Sequence, residues 1–294
     1  MPSSNIISVL GGTGHVGAVF IDTFKQHGLK VRILARKPEL LQNRYPDCDV
    51  VKGSMLNKAD VSNCMLGANT AFLITPIGGN NDMSIELNAA RAAAASAGET
   101  GLPHLIFSSV LQKEKPTGIP LLDSKRIIES ILAESGIPFS SLRAGFNMED
   151  VLGLAPFFIK AGLFFFPLSS QHVYSFTTQK DQARLAVKLI KQNRILNQAV
   201  DVIEPEPMSM NDIAHLYATI LGRKIRPVGD WPWQSLLKLA LPIMRKMNPV
   251  MVSKTGMLEY FNQTDFIGDP QQLSTIMPEF DITSMETHIR SSLK

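Results

Sequence analysis

Residues 7–24 read ISVLGGTGHVGAVFIDTF. An apolar β-rich run, Ile6–Leu10, meets a glycine cluster and passes directly into an amphipathic helix that starts near Val16. The row parses as GxxGxxG through Gly11, Gly14 and Gly17, or as GxGxxG through Gly12, Gly14 and Gly17, with Thr13, His15 and Val16 between them. Either parse places the helix start at the same point. Glycines in this context let the backbone turn tightly and approach a diphosphate. The unpaired N–H groups and dipole of the helix N-terminus favour negative charge there. A strand, a glycine turn and a helix in that order therefore point to dinucleotide binding.

The second strand decides which dinucleotide. NAD enzymes usually carry an acid about 20 residues beyond the glycines, where it bonds the ribose hydroxyls. Nineteen residues beyond Gly17 stands Arg36, followed by Lys37. Two cations suit a 2′-phosphate and no carboxylate is present to repel it, so the sequence favours NADP(H). The competing reading of this pair is a solvated strand end.

Working outward, residues 5–141 alternate short β-rich runs with amphipathic or alanine-rich segments. Strands are expected at Ile6–Leu10, Lys30–Ala35, Asp49–Lys52, Thr70–Ile74, His104–Ser108 and Phe139–Leu142, with helices beginning near Val16, Lys58, Met83 and Leu121. The third helix should stop at Gly98. This rhythm predicts an α/β fold, a Rossmann-type doubly wound parallel sheet with helices on both faces. Beyond Arg143 the expectation is a strand in HVYSFTT, a helix from about Gln179 to Gln192, and a return to the sheet at Ala199–Ile203. A capped helix follows, with Ser209 as N-cap, Asp212 at the box position and Gly222 as stop. The chain divides as a dinucleotide-binding domain over 1–150 and a smaller, mostly helical lobe over 151–294 on the substrate side, partly returning to the sheet.

Composition narrows the function further. With 294 residues, 45% hydrophobic and 19% charged, the chain is an ordinary globular protein. The net charge of +3 is spread along the chain and gives no support to direct nucleic-acid binding. Two cysteines, Cys48 and Cys64, are too few for a disulfide framework and read as buried thiols in a reducing, cytoplasmic compartment. The apolar stretch 152–168 contains Pro156 and Lys160 and falls short of the about 20 residues a membrane span needs. The six histidines show no metal-binding spacing, and no GxSxG elbow is present.

Together these segments resemble the NmrA-like family of atypical short-chain dehydrogenases, which includes quinone, triphenylmethane-dye and isoflavone-type reductases beside non-catalytic redox regulators. The likeness runs through GGTGHVG, ILARKPE, VVKGSMLNKADV, AFLITPIGG, IFSSV, LLDSKRIIE and LRAGFNMED. The resemblance implies that Ser54, where the family usually has Asp, lies near the adenine. It also implies that Thr75 and Pro76 border the cofactor path, and that Ser109 lies near the nicotinamide. The segment around Lys125 is similar to the family helix that carries a lysine.

Typical short-chain dehydrogenases pair that lysine with a tyrosine four residues earlier as proton donor, and here the position is Leu121. A positioned proton donor contributes about 10²–10⁴-fold in rate. Ordinary ketone reduction is therefore disfavoured. Quinones, cationic dyes and conjugated enones spread the charge of an added hydride over many atoms and depend less on such a donor. Lys125 is left as an orienter of ribose and nicotinamide, its competing reading being a surface cation paired with Glu129. The phenylalanines at 157, 158, 164, 165 and 166 either pack as core or wall a pocket for an apolar or aromatic small molecule, and the segment with Trp231 and Trp233 is a second candidate wall. The expectation is an NADPH-dependent reductase, with a non-catalytic NADP(H) sensor as the alternative; the oligomeric state is not legible.

Overall fold

The computed structural model describes residues 6–78, 81–112, 115–228 and 256–293. Seven parallel strands form its sheet: β1 (Ile6–Leu10), β2 (Lys30–Ala35), β3 (Asp49–Lys52), β4 (Thr70–Leu73), β5 (Leu105–Val110), β6 (Phe139–Ala144) and β7 (Ala199–Val202). Their order is β7-β6-β5-β4-β1-β2-β3, every neighbouring pair parallel. Strand order reverses between β1 and β4. In open parallel sheets that reversal opens a crevice at the carboxyl ends of the strands.

The connecting helices are α1 (His15–Gln26), α2 (Pro38–Arg44), α3 (Lys58–Met65), α4 (Ser84–Thr100) and α5 (Pro120–Glu134). Later come α6 (Gln179–Lys191) and α7 (Met210–Leu221), then short helices at Pro270–Ile276 and Met285–Ser292. Side chains alternate across the sheet, so each strand serves two cores. Ile7, Val9, Phe72 and Ile106 face α1 and α6, where Phe20 stacks on Phe72 at 4.2 Å. Leu10, Leu73, Leu105 and Phe107 face Val61, Ala90, Ala93 and Ile128 of α3, α4 and α5. The alanine-rich face of α4 lets it lie close against α3 and α5 on that side. A third core, with Tyr174, Phe176, Ile213 and Phe261, gathers the segments beyond β6.

Several expectations need correction. Helix α4 runs through Gly98 and stops at Gly101, whose φ of 62° is the left-handed C-cap that a side chain disfavours. Helix α2 was not expected, because its seven residues PELLQNR bury only Leu41 and show no periodicity to read. HVYSFTT yields only a two-residue strand, Phe176–Thr177, since its backbone is also engaged by Met208 and Phe266. Cys64 is buried, but Cys48 is only half-buried. The return of β7 to the sheet beside β6 and the capping box of Ser209 and Asp212 are both present, with Gly222 at φ 63° ending α7. Trp231 and Trp233 lie outside the described residues.

Candidate active site

The glycine turn sits at the carboxyl end of β1, beside the strand-order reversal. Gly11 has φ of 94°, and a Cβ there would lie 2.3 Å from the carbonyl oxygen of Ile74, just beyond β4. Only glycine lets the turn lie against that strand end. At Gly17 a Cβ would stand 2.6 Å from the Gly11 oxygen and 2.7 Å from Gly12 Cα, so the start of α1 packs directly on the turn. Gly12 is likewise closed in, by Ile21 and Ile33.

Gly14 is different. It is the N-cap of α1, makes no side-chain cap, and a Cβ there would meet nothing within 4 Å among the described residues. The first helical bond runs from Ala18 N–H to Gly14 O, so the N–H groups of His15, Val16 and Gly17 precede the helical ladder. No acid occupies the first turn. Among the described residues the positive end of α1 is uncovered between exposed Thr13 and His15, an arrangement that suits a diphosphate. These residues fit a nicotinamide dinucleotide.

The far rim carries Arg36 and Lys37, both exposed at the end of β2 and without an ion-pair partner among the described residues. Ser54 follows β3 and is half-buried; its Oγ accepts the Leu56 N–H at 3.2 Å, and its own N–H donates to Asp60 Oδ2 at 2.8 Å. An acid therefore does reach this strand end, from α3 instead of from position 54. It could have been noticed as the first-turn acid after the Asn57 cap.

Lys125, on α5, is buried at 7% exposure. Its Nζ donates to Thr75 Oγ1 at 2.6 Å and to Glu86 Oε2 at 2.9 Å, and Ser124 Oγ donates to the same carboxylate oxygen at 2.7 Å. The pairing with Glu129 is thus overturned: α5 turns Lys125 towards α4 and the end of β4, and Glu129 elsewhere. Glu86 went unnoticed because a lone acid in SIELNAAR looks like any first-turn helix residue. Pro76 is half-buried next to Thr75, and Leu121 stands half-buried one turn before Lys125. Thr75, which Lys125 contacts, directly follows Ile74, the residue that meets Gly11.

Ser109 belongs to a second buried network. Its Oγ donates to Glu129 Oε1 at 2.6 Å, and Arg143 donates to the same carboxylate, from Nη2 to Oε2 at 2.6 Å. Ser109, Arg143 and Asp201 stand in register on β5, β6 and β7. Burial pushes the Asp201 carboxyl above its ordinary range, against the opposing pull of the Asp269 N–H and Arg143. Ser109 lies at the carboxyl edge but its hydroxyl is committed to Glu129. The phenylalanine stretch does not form one wall: Phe164 is buried against Tyr217, Phe158 packs on Phe165, and Phe157 is 77% exposed. The larger aromatic cluster is Phe146 with Tyr174, Phe176, Phe261 and Phe266, assembled from segments far apart in sequence. Among the described residues no group of three or more acids, histidines and cysteines could hold a metal, and no helix is long and apolar enough to cross a membrane.

The model of the NmrA-like family matches residues 3–279. The chain belongs to the NmrA-like family. Among the relatives of this NmrA-like protein is the (4-alkanoyl-5-oxo-2,5-dihydrofuran-3-yl)methyl phosphate reductase of Streptomyces griseus, 29% identical over 75% of this chain and 76% of the relative. An NAD(P)H azoreductase of Xenophilus azovorans is 24% identical over 76% of each chain. The fold is shared with the NADPH-dependent quinone oxidoreductase of Escherichia coli, solved with NADPH (TM-score 0.77, 17% identity, 98% of this chain and 100% of that one). It is shared also with the triphenylmethane reductase of Citrobacter sp., solved with NADP(H) (TM-score 0.79, 14% identity, 97% and 99%).

Proposed function

We propose that this protein is an NADP(H)-dependent oxidoreductase that reduces a quinone-like or otherwise conjugated, apolar or aromatic small molecule. The observation that supports the reading is the uncapped N-terminus of α1 at Gly14, with Arg36 and Lys37 at the end of β2, neither ion-paired among the described residues, and the Lys125–Thr75 contact at the end of β4. On this reading the N–H groups of α1 grip the diphosphate, and Arg36 with Lys37 receives the 2′-phosphate. Lys125 orients the ribose and nicotinamide from the Thr75 side, with Ser54 and Pro76 along the path. Bound NADPH would supply a hydride.

The residues favour acceptors that delocalise charge, because Leu121 offers no proton where a phenol would stand and the Ser109 hydroxyl already donates to Glu129. The relatives named for reduction of quinones, azo compounds, dyes and an unsaturated furanone support the same class. On the same reading, residues 1–150 are the dinucleotide-binding domain and residues 151–294 a smaller lobe on the substrate side that partly returns to the sheet. Purified protein given NADPH and a panel of quinones, azo dyes and conjugated enones should show acceptor-dependent loss of absorbance at the nicotinamide band. A flat trace across the panel, with tight NADPH binding, would instead support a non-catalytic redox sensor.

A further inference from the structure

We infer that Glu86 is the positioning residue of the NADP(H) site, holding the Lys125 ammonium at the crevice so that one of its hydrogens is presented to the ribose and nicotinamide. The inference rests on the proposed function and adds to it a residue that the dinucleotide motifs do not contain.

Glu86 lies in the first turn of α4, where the helix dipole favours a negative charge, yet it is 2% exposed. A buried carboxylate is costly unless it is paired and hydrogen-bonded. Here a single oxygen, Oε2, accepts from both Ser124 Oγ and Lys125 Nζ. Lysine has three donor hydrogens on a flexible four-carbon stem. Glu86 and Thr75 take two of them, at 2.9 and 2.6 Å, and the third has no partner among the described residues. These two contacts anchor the end of the stem. Phe107, whose ring centre is 5.9 Å from Nζ, lies under the ammonium on the sheet side. Thr75 follows Ile74, which abuts Gly11, so the anchored charge stands beside the reversal point and next to the glycine turn. A pair needed only for packing would not require a charge at that point; two apolar side chains of similar volume serve packing as well or better.

The test is a double-mutant cycle read by NADPH calorimetry on folded protein, with KM for NADPH and kcat as second readouts. Glu86→Gln keeps size and removes charge; it should weaken NADPH binding roughly tenfold, the scale of one charge-assisted contact. KM for NADPH should rise more than kcat falls. In a Lys125→Met background the same substitution should change NADPH affinity by less than about twofold, because Glu86 acts through the lysine. Should Glu86→Gln fail to yield folded protein, Glu86→Asp, which keeps the charge but draws it back by one methylene, is expected to weaken binding in the same direction. Wild-type affinity in either folded variant, or equal losses with and without Lys125, overturns the inference. A wild type that binds no NADPH overturns the proposed function and this inference with it, whereas wild-type binding with an unaffected variant overturns this inference alone.

Discussion

Gly14→Ala separates folding from binding at the glycine turn. Its backbone, at φ −86° and ψ 171°, is open to any L residue, and a methyl there meets no atom of the described residues within 4 Å. The folded state loses an acceptable glycine cap, at about 0.5–1 kcal/mol, and the unfolded chain loses a comparable amount of freedom, about 0.4–1 kcal/mol. These offset, so the melting temperature without ligand should move by no more than about 3 °C. A bound diphosphate would occupy the space the methyl takes. Pushing it away weakens charge-assisted bonds from at least one or two of the His15, Val16 and Gly17 N–H groups, each about 1.5–3 kcal/mol. The expected loss is about 3 kcal/mol, a factor of roughly 100 in affinity. Thermal melting of the free protein and calorimetric titration with NADPH read the two effects separately. Wild-type affinity in a normally stable Gly14→Ala protein would refute the assignment of the α1 N-terminus as the diphosphate grip.

Other expectations follow from the same physical reasoning. Gly17→Ala should behave oppositely to Gly14→Ala: the gain of about 1 kcal/mol in helix propensity is outweighed by contact with Gly11 and Gly12 backbone, giving net destabilisation of about 2 kcal/mol by denaturant melting. Arg143→Met leaves Glu129 and Asp201 without their cation, costing about 3 kcal/mol because the guanidinium is only a quarter exposed; adding Glu129→Gln should restore most of it in the same melts. His104 is buried against Ser140 Oγ at 2.9 Å, and burial depresses its pKa from 6.5 to about 4. The unfolded chain therefore binds the extra proton first, and stability present above pH 6.5 should fall by about 3 kcal/mol as pH drops towards 4. His104→Gln should flatten that part of the stability profile, and an unchanged slope would contradict it.

What could be read from the sequence follows the range of the interactions involved. β1, the glycine turn and α1 are contiguous, so strand, turn and helix signals reinforce one another between Ile6 and Gln26. The same is true of the α7 capping box, where Ser209 and Asp212 satisfy each other locally. The end of α4 was misplaced because an alanine-rich helix tolerates Gly98, while the left-handed stop depends on the conformation of Gly101. Glu86 and Asp60 were missed because their partners, Lys125 and the Ser54 N–H, are contacts across elements that no local pattern announces. The Glu129 pairing failed for a related reason: spacing of four residues permits an ion pair, but each side chain found a buried partner on another strand or helix. The aromatic cluster around Phe146 joins residues up to 120 positions away and has no signature along the chain.

Calorimetric titration of the unmodified protein with NADPH and with NADH shows whether helix α1 and Arg36 together hold a phosphorylated dinucleotide. NADPH should bind at micromolar concentration and NADH at least about tenfold more weakly, the scale of one lost charge-assisted contact to the 2′-phosphate. Neither coenzyme held more tightly than about millimolar, a level worth only about 4 kcal/mol, would contradict it.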